Sequence, residues 1–188
     1  MKKYELTTET LQFAGRTLHR IKAVKDFDSI KAGEFGGWIE NEKNLSQDDN
    51  AWIYGNAMVF DNAKVYGNAK VYGNANVSDY ANVFGNAEVY GNANISYYAK
   101  VYGNAVIKGD AIVHDAVDYI VFKNFWSSGR YFTWTSSNNK WSVGCFYGTS
   151  EELIKKAYAD SEKSGREYER VVRYVESILA DEKKEKSN

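Results

Sequence analysis

The middle of the sequence repeats every six residues, and this repeat constrains the fold more than any other feature. An aliphatic residue stands at position 53 and at every sixth position up to 113, and an alanine stands two residues before each one. Most copies continue with an aromatic residue, Gly and Asn, as in "KVYGNAKVYGNA" at residues 64–75. A helix is excluded, because six is not a multiple of 3.6 and Gly-Asn in every copy would break it.

Each copy has the composition of a short strand followed by a corner. The alanine and the aliphatic residue are two apart and point to the same side of a strand, whereas the neighbours of the aliphatic residue point outward. Gly-Asn turns the chain, because both residues tolerate left-handed backbone conformations. Such a unit buries its apolar side only by stacking on the next copy. Residues 51–118 are therefore predicted to form a parallel β-helix.

The exceptions to the repeat indicate how many copies make one turn. The hexads that begin at Val59, Val77, Ile95 and Val113 continue "FDN", "SDY", "SYY" and "HDA", and all four lack the glycine. They recur at every third hexad. We therefore predict three hexads per coil, with one edge built differently from the other two. We call residues 58–62, 76–80, 94–98 and 112–116 the odd edge.

The repeat resembles the hexapeptide-repeat left-handed β-helix family. The motif of that family has an aliphatic residue and, four positions on, a small residue, and "VYGNAK" keeps both. The resemblance implies a left-handed triangular prism and side-by-side association into trimers. The best-known members are acyltransferases that bind an acyl-CoA or acyl-carrier arm between prisms and use a histidine as general base.

The odd edge is the predicted site of assembly or ligand binding. Ser78 and Ser96 suit the close approach of two subunits, and neighbouring tyrosines would rim a groove. The candidate binding residues on this edge are Ser78, Asp79, Tyr80, Ser96, Tyr97, Tyr98 and His114. We expect a homotrimer interface or a groove between subunits; the alternative is a crowded corner with no partner.

The other two faces, the ordinary faces, are predicted to carry outward aromatic ladders. One ladder contains Tyr54, Tyr72 and Tyr90, with Trp52 beside it, and the other contains Tyr66, Phe84 and Tyr102. Aromatic side chains stacked one coil apart stabilise a sheet by mutual packing. The alternative role is a contact surface for a partner, since Tyr and Trp dominate interface hot spots.

The segments outside the repeat are predicted to close the two ends of the β-helix, whose strand edges would otherwise be unpaired. Residues 1–50 are predicted to form an N-terminal β cap with a hairpin around Ala14-Gly15. Residues 119–188 are predicted to form a small α+β domain with strands first and two helices last. Thr149 and Glu152 have the spacing of a capping box for the first helix, and the second is expected to pack its apolar face on the sheet. The predicted fold class is mainly β.

The C-terminal domain contains a second candidate binding group. Arg130, Trp134 and Trp141 lie near its strands together with Trp126, and Arg over Trp can hold an anionic or planar ligand. The alternative is that the tryptophans form the core of the domain. Cys145 is expected to be a structural residue in a buried strand.

Catalytic and metal chemistry have little support. His114 with Asp115 is the candidate base of the alternative hypothesis, an acyltransferase with a cleft between subunits. One cysteine and two distant histidines give no recognised zinc spacing. Asp61, Asp79 and Asp115 recur on one corner, either as solvated turn carboxylates or as a Ca²⁺ or Mg²⁺ site. We predict no cofactor and no metal.

Charge and hydropathy limit the partners. The formal net charge of −1 gives no field that would attract nucleic acid. The N-terminal sequence has no apolar signal region, and no stretch approaches the length of a membrane span. The single cysteine fits a reducing cytoplasm. A DNA mimic is poorly supported, because the outward residues of the repeat are largely aromatic.

Taken together, "YELTTETLQFAGRTLHRIKAVKDF", the "NAKVYGNA" array and "GCFYGTSEEL" resemble a group of small phage and prophage proteins. That resemblance implies the cytoplasm of a bacterial host. The leading hypothesis is a non-enzymatic, homo-oligomeric binding protein with a possible role against host defence. Its expected ligand is a host protein or a small nucleotide-like molecule.

Overall fold

The computed structural model describes residues 2–185, with side chains for residues 2–182. Residue 1 and residues 186–188, which the predicted terminal domains include, lie outside the described residues. The chain divides into two compact units. The first contains residues up to 119 together with 135–138, and the second contains residues 120–134 and those from 139 onward.

The first unit is mainly β and forms a parallel β-solenoid of about four turns. It begins with β1 (Tyr4–Phe13), β2 (Arg16–Ala23) and β3 (Phe35–Ile39). Eleven two-residue strands follow: β4 (Trp52–Ile53), β5 (Met58–Val59), β6 (Lys64–Val65), β7 (Lys70–Val71), β8 (Asn76–Val77), β9 (Asn82–Val83), β10 (Glu88–Val89), β11 (Asn94–Ile95), β12 (Lys100–Val101), β13 (Val106–Ile107) and β14 (Ile112–Val113). Two short 3-10 helices cover Glu42–Asn44 and Ala116–Asp118.

The strands of the solenoid form three parallel stacks. Their orders are β3-β5-β8-β11-β14, β4-β7-β10-β13 and β6-β9-β12, and β2 and β1 continue the first stack as antiparallel strands. Paired residues of the repeat strands are three hexads apart, as where Val89 lies between Val71 and Ile107. The inward alanines and aliphatic residues of the repeat are at most 1% exposed. Burying each Val or Ile contributes about 1.5–3 kcal/mol, which makes these columns the main source of stability.

The solenoid begins before the repeat becomes visible in the sequence. Ile39 pairs with Val59, Leu45 bridges to Val65, and Ile53 pairs with Val71. An irregular turn over residues 39–53 therefore supplies one aliphatic residue to each column, and the predicted boundary at residue 50 falls inside it. Gly36 and Gly37 let this turn pack closely, because neither position has space for a side chain. A Cβ atom on Gly36 would lie 2.6 Å from the carbonyl oxygen of Ile53.

The N-terminal residues close the first turn with polar side chains. The hydroxyl of Tyr4 donates to the carbonyl of Leu45 at 2.7 Å. The ammonium of Lys3 donates to the carbonyls of Asp49 at 2.9 Å and Ala51 at 2.8 Å. Burial lowers the pKa of Lys3 to about 8, and nearby Asp49 partly offsets this effect. Lys3 therefore satisfies carbonyls that the end of a β-solenoid would otherwise leave unpaired.

Trp52 differs from its prediction. It was expected to be an outward ladder residue, but it is only 1% exposed. Tyr4 and Phe27 pack against its indole with ring centroids 6.2 and 5.3 Å away. The side chain points out of the strand, but the N-terminal segment covers it.

The second unit consists of a four-stranded sheet and two helices. The strands are β15 (Tyr119–Lys123), β16 (Tyr131–Thr135), β17 (Lys140–Val143) and β18 (Phe146–Gly148), in that order across the sheet. The helices are α1 (Ser150–Asp160) and α2 (Glu162–Glu185). The predicted capping box is confirmed, since the Glu152 carboxylate accepts from the backbone of Thr149 at 2.9 Å.

The apolar face predicted for the last helix contributes to the core of this unit. Tyr168, Val172 and Val175 join one buried cluster with Phe132 of β16. Cys145 was expected in a buried strand, but it is exposed in the turn between β17 and β18. The turn forms there because Gly144 adopts a φ of +55°, which ends the strand at Val143.

Candidate functional site

The odd edge has the same corner conformation as the ordinary corners but a different chemistry. Where the ordinary corners have glycine, the odd edge has Asp61, Asp79 and Tyr97, with φ values of 58°, 57° and 54°. Left-handed backbone is uncommon for residues with a side chain and costs about 1 kcal/mol or more. The solenoid therefore forces this conformation on larger residues at one edge.

The aspartates of the odd edge bind the backbone and the N-terminal hairpin. The carboxylate of Asp79 accepts from the backbone nitrogen of Tyr97 at 3.0 Å, one coil further on. Asp61 forms an ion pair with Arg16 of β2. Asp115 caps the 3-10 helix Ala116–Asp118. Residues 2–185 contain no group of three or more His, Cys, Asp or Glu placed to hold a metal ion.

Two tyrosines of the odd edge form an exposed stack. The rings of Tyr80 and Tyr98 lie 5.2 Å apart with an interplanar angle of 10°. Tyr80 is 53% exposed and Tyr98 is 72% exposed. Two other predicted site residues, Ser78 and Ser96, are buried beside them. The accessible residues of the predicted site are therefore this tyrosine stack, Tyr97, which is 59% exposed, and His114.

A groove of about 750 Å³ runs along this tyrosine stack. One side is formed by the odd edge and the other by the first residues of strands β6, β9 and β12. The residues that line the groove include Asn62, Tyr80, Tyr98, Asp115 and Ala116 on the first side, Lys64, Asn82 and Lys100 on the second, and Lys43. We call it the odd-edge groove.

The odd-edge groove combines aromatic rings with positive charge. Lys64 and Lys100 are exposed and lie in register on either side of Asn82. Two coils separate them, which is about 10 Å at the usual strand spacing. Lys43 donates to the amide oxygen of Asn62 at 3.0 Å. Three ammonium groups and one carboxylate, Asp115, give the groove a net positive charge.

The lysines of the groove were not among the predicted site residues. The hexad pattern assigns each residue to one face, and it puts Lys64, Asn82 and Lys100 on the ordinary face of Tyr66, Phe84 and Tyr102. The signal that was available is their position, two residues after the corner residues 62, 80 and 98. Side chains on both sides of a corner reach the same groove.

His114, the alternative catalytic residue, lacks the contacts of a general base. Its ring packs edge-on against Tyr97 at 4.7 Å, and its backbone nitrogen donates to the Asp118 carboxylate at 2.7 Å. The Asp115 carboxylate accepts from the backbone nitrogen of Ala116 as a helix cap. The contacts described for His114 are therefore with Tyr97 and Asp118, and the Asp115 carboxylate is used as a helix cap.

The binding residues predicted in the second unit do not form one surface, because the tryptophans Trp134 and Trp141 are buried and Arg130 is exposed. Trp141 is fully buried and its indole donates to the Ser150 hydroxyl at 3.1 Å. Trp134 is also part of the core and donates to Asn139 at 3.1 Å. Trp134 and Trp141 are therefore core residues, as the alternative interpretation predicted, whereas Trp126 is 54% exposed. Arg130 is exposed and lies beside Gly144.

Among the exposed aromatic residues of the second unit, Trp126 was named with the candidate binding group, whereas Phe125 was missed. Phe125 and Trp126 stack at 4.1 Å in a loop that the buried Asn124 holds through the backbone nitrogens of Trp126 and Ser127. They border a cavity of about 510 Å³ that also contacts α2. No pattern in the sequence distinguishes them from the core aromatics of the neighbouring strands.

These features define the class of the chain, a parallel β-solenoid protein with a surface groove. The YdcK beta-solenoid repeat family model matches residues 51–67 and 99–115. The chain is also 39% identical over 62 residues to a protein of Escherichia coli (strain K12) named "Uncharacterized acetyltransferase YdcK". This match covers 29% of the chain and 19% of that protein, so the chain spans about a fifth of the relative's length.

Hydropathy gives one further result. Among the described residues, no helix is both long enough and apolar enough to cross a membrane.

Proposed function

We propose that this chain is a non-enzymatic ligand-binding protein and that the odd-edge groove binds a small anionic ligand with a planar ring, such as a nucleotide. The observation that carries the proposal is the stacked pair Tyr80 and Tyr98 beside the exposed lysines Lys64 and Lys100 in one groove. The groove volume of about 750 Å³ falls in the usual range for small-molecule sites, about 300–1,000 Å³.

The two chemical components of the groove have separate roles. Stacking of a base on an aromatic side chain contributes about 1–3 kcal/mol and does not depend on base identity. Ammonium groups attract phosphate as point charges, and this attraction is screened by salt. The arrangement therefore favours ligands with both a ring and an anionic group, and binding should weaken as ionic strength rises.

The test is a calorimetric titration of the full chain with ADP at low and moderate salt. We expect saturable binding that the double variant Lys64→Ala/Lys100→Ala weakens at least about tenfold, since each lost charge contact contributes on the order of 1 kcal/mol. Lys70→Ala is the matched control, because Lys70 lies on an ordinary face beside Asp28. Equal binding by the double variant and the control would contradict the proposal, as would no binding by the wild-type chain.

An acetyltransferase is the second candidate, supported by the similarity to the Escherichia coli relative named as one. Coenzyme A contains a nucleotide, so the same groove suits one part of it. A histidine base is most effective when a hydrogen-bonding group orients its ring, and Asp115 already serves as a helix cap. Incubation with acetyl-CoA and amine or hydroxyl acceptors tests this candidate. Transfer that disappears in His114→Ala would establish it, and absence of transfer by the wild-type chain would exclude it.

We further propose a left-handed winding of the solenoid and association into trimers along the odd edge. The hexad pattern supports the winding, and the resemblance to the hexapeptide-repeat family supports the trimer, although Ser78 and Ser96 are buried in the single chain. A monomeric mass by sedimentation equilibrium would contradict the trimer. A bacterial cytoplasmic setting and a role against host defence are supported by the sequence resemblance to phage proteins alone.

A further inference from the structure

The aromatic ladders of the solenoid end in two different ways. On an ordinary face, the position one coil beyond Tyr90 is Lys108. Its ammonium lies 5.5 Å from the centroid of the Tyr90 ring, and the lysine is only 7% exposed. This cation–π contact covers the last ring of the ladder. The ladder of Tyr54, Tyr72 and Tyr90 is therefore closed by the chain itself.

The ladder of the odd edge ends differently. The position one coil beyond Tyr98 is Ala116, and Tyr98 is 72% exposed. The regular corner also stops here, because Asp115 has a φ of −141° where Tyr97 has 54°. Ala116 starts a 3-10 helix and lines the groove with its small side chain. One face of the Tyr98 ring is left accessible next to a methyl group.

Charged groups of both signs lie around this ring. Lys100 lines the groove two residues after Tyr98. The carboxylate of Asp115 also lines the groove. At the opposite end of the ladder, the position one coil before Tyr80 is Asn62, which is not aromatic and already accepts from Lys43. The groove therefore has a ring-stacking position at the Tyr98 end, beside a cation.

We infer that the ligand ring stacks on the accessible face of Tyr98 beside Ala116, as the third ring of the ladder, and that its anionic group binds Lys100. This inference rests on the proposed function and narrows it to a ligand with one base joined to phosphate. Each further ring of an oligonucleotide would need another aromatic step, and the ladder supplies two tyrosines that already stack on each other. Coenzyme A and free nucleotides both contain a single base joined to phosphate, so both fit this description.

The experiment measures the binding of ADP, coenzyme A and inorganic pyrophosphate to the full chain by calorimetry. Pyrophosphate carries the charge without a ring and separates the two contributions. Ala116→Tyr places a protein ring at the stacking position, and Ala116→Ser is the matched small control. We expect the wild-type chain to bind ADP at least about tenfold more tightly than pyrophosphate, as base stacking predicts. Ala116→Tyr should abolish this preference and leave pyrophosphate binding unchanged, whereas Ala116→Ser should keep it.

The outcomes separate this inference from the proposed function. If Lys64→Ala/Lys100→Ala weakens ADP binding but Ala116→Tyr does not, the ring position is overturned and the proposed function stands. If the wild-type chain binds neither ADP nor pyrophosphate, both are overturned. Tighter binding of coenzyme A than of ADP identifies coenzyme A as the source of the ring, and equal binding identifies the nucleotide.

A second variant keeps the test decisive if Ala116→Tyr does not fold. Tyr98→Leu removes the flat ring and retains an apolar side chain at an exposed position. It should lower ADP binding to the level of pyrophosphate while circular dichroism shows an unchanged fold. ADP binding at the wild-type level in a folded Tyr98→Leu variant would overturn the inference.

Discussion

The ordinary corners and the odd corner of the solenoid reach the same backbone conformation with different residues. At the ordinary corners, glycines stack so closely that a Cβ atom on Gly91 would lie 2.8 Å from the backbone nitrogen of Gly109. At the odd corner, Asp61, Asp79 and Tyr97 adopt the same left-handed φ with their side chains present. The close glycine contacts leave no space for a side chain at the stacked ordinary corners. At the odd corner the backbone is strained, but side chains are present there.

The aromatic side chains show the same division. The hydroxyl of Tyr72, on an ordinary face, donates to the Glu88 carboxylate at 3.0 Å. The pKa of Tyr72 is raised mainly by burial and also by the neighbouring Glu88 carboxylate. Tyr80 and Tyr98 stack on each other and remain more than half exposed. The difference applies to the ladder that contains Tyr72, whose rings are used in packing and hydrogen bonding. On the other ordinary ladder, Tyr102 is 52% exposed, but among the described rings only those of the odd edge line the odd-edge groove.

The largest effect is expected from a side chain at an ordinary corner. Gly91→Ala should lower the free energy of unfolding by at least about 2 kcal/mol, because it adds left-handed strain to a backbone clash. Gly103→Ala is the control, since Gly103 has a φ of +68° and no atom within 4 Å of the added Cβ. It should cost about 1 kcal/mol, from the strain alone. Urea denaturation of both variants measures the difference, and equal losses would show that corner stacking is not tight.

The stability of the chain is expected to depend on pH through Tyr119, which contacts strand β12 of an ordinary face. Its hydroxyl donates to the carbonyl of Lys100 at 2.9 Å, and burial raises its pKa to about 12. The ordinary pKa of tyrosine is about 10, so its contribution to stability is complete below pH 10 and is lost as the pH rises towards 12. Tyr119→Phe should cost about 1 kcal/mol at pH 8. In denaturant titrations from pH 8 to 12, this gap should close, and a constant gap would contradict the assignment.

A smaller effect is expected at the odd corner itself. Asp79→Gly removes the hydrogen bond to the backbone nitrogen of Tyr97 but relieves the left-handed strain, and each contributes about 1 kcal/mol. The two should nearly cancel. Asp79→Ala loses the hydrogen bond without that relief and should be less stable than Asp79→Gly by about 1 kcal/mol. If Asp79→Gly were the less stable of the two in urea denaturation, the odd corner would not be strained.

The parts of the fold that the sequence predicted are those set by local periodicity. The inward position of residues such as Val71, the parallel stacking and the different chemistry at Asp79 and Tyr98 follow from the spacing of residue types. What was missed depends on contacts between distant segments. Trp52 points outward as predicted, but Tyr4 and Phe27 cover it.

Only part of the candidate site was predicted, because the repeat pattern identifies some of its residues and not those that come from a neighbouring face. Tyr80 and Tyr98 were identified because they interrupt the repeat. Lys64 and Lys100 were not, because they conform to it and reach the groove from the neighbouring face. The irregular turn over residues 39–53 was hidden because its spacing is not six throughout, with Ile39 and Leu45 six apart but Leu45 and Ile53 eight apart.

The smallest change in stability is expected from making the odd edge resemble the ordinary corners. At the ordinary corners, Asn56, Asn74 and Asn92 form a ladder of side-chain hydrogen bonds from one coil to the next. Tyr80→Asn/Tyr98→Asn would extend such a ladder from Asn62. The lost ring stacking, about 0.5–1.5 kcal/mol, and the gained amide bonds, about 1 kcal/mol, should leave stability within about 1 kcal/mol of the wild-type chain. Binding of ADP should nevertheless fall to the level of pyrophosphate, because the lysines remain but the stacking surface is removed. Urea denaturation and calorimetry on the same sample separate the two effects: a loss of several kcal/mol in stability would mean that the tyrosines are structural, and unchanged ADP binding would mean that the ligand does not stack on them.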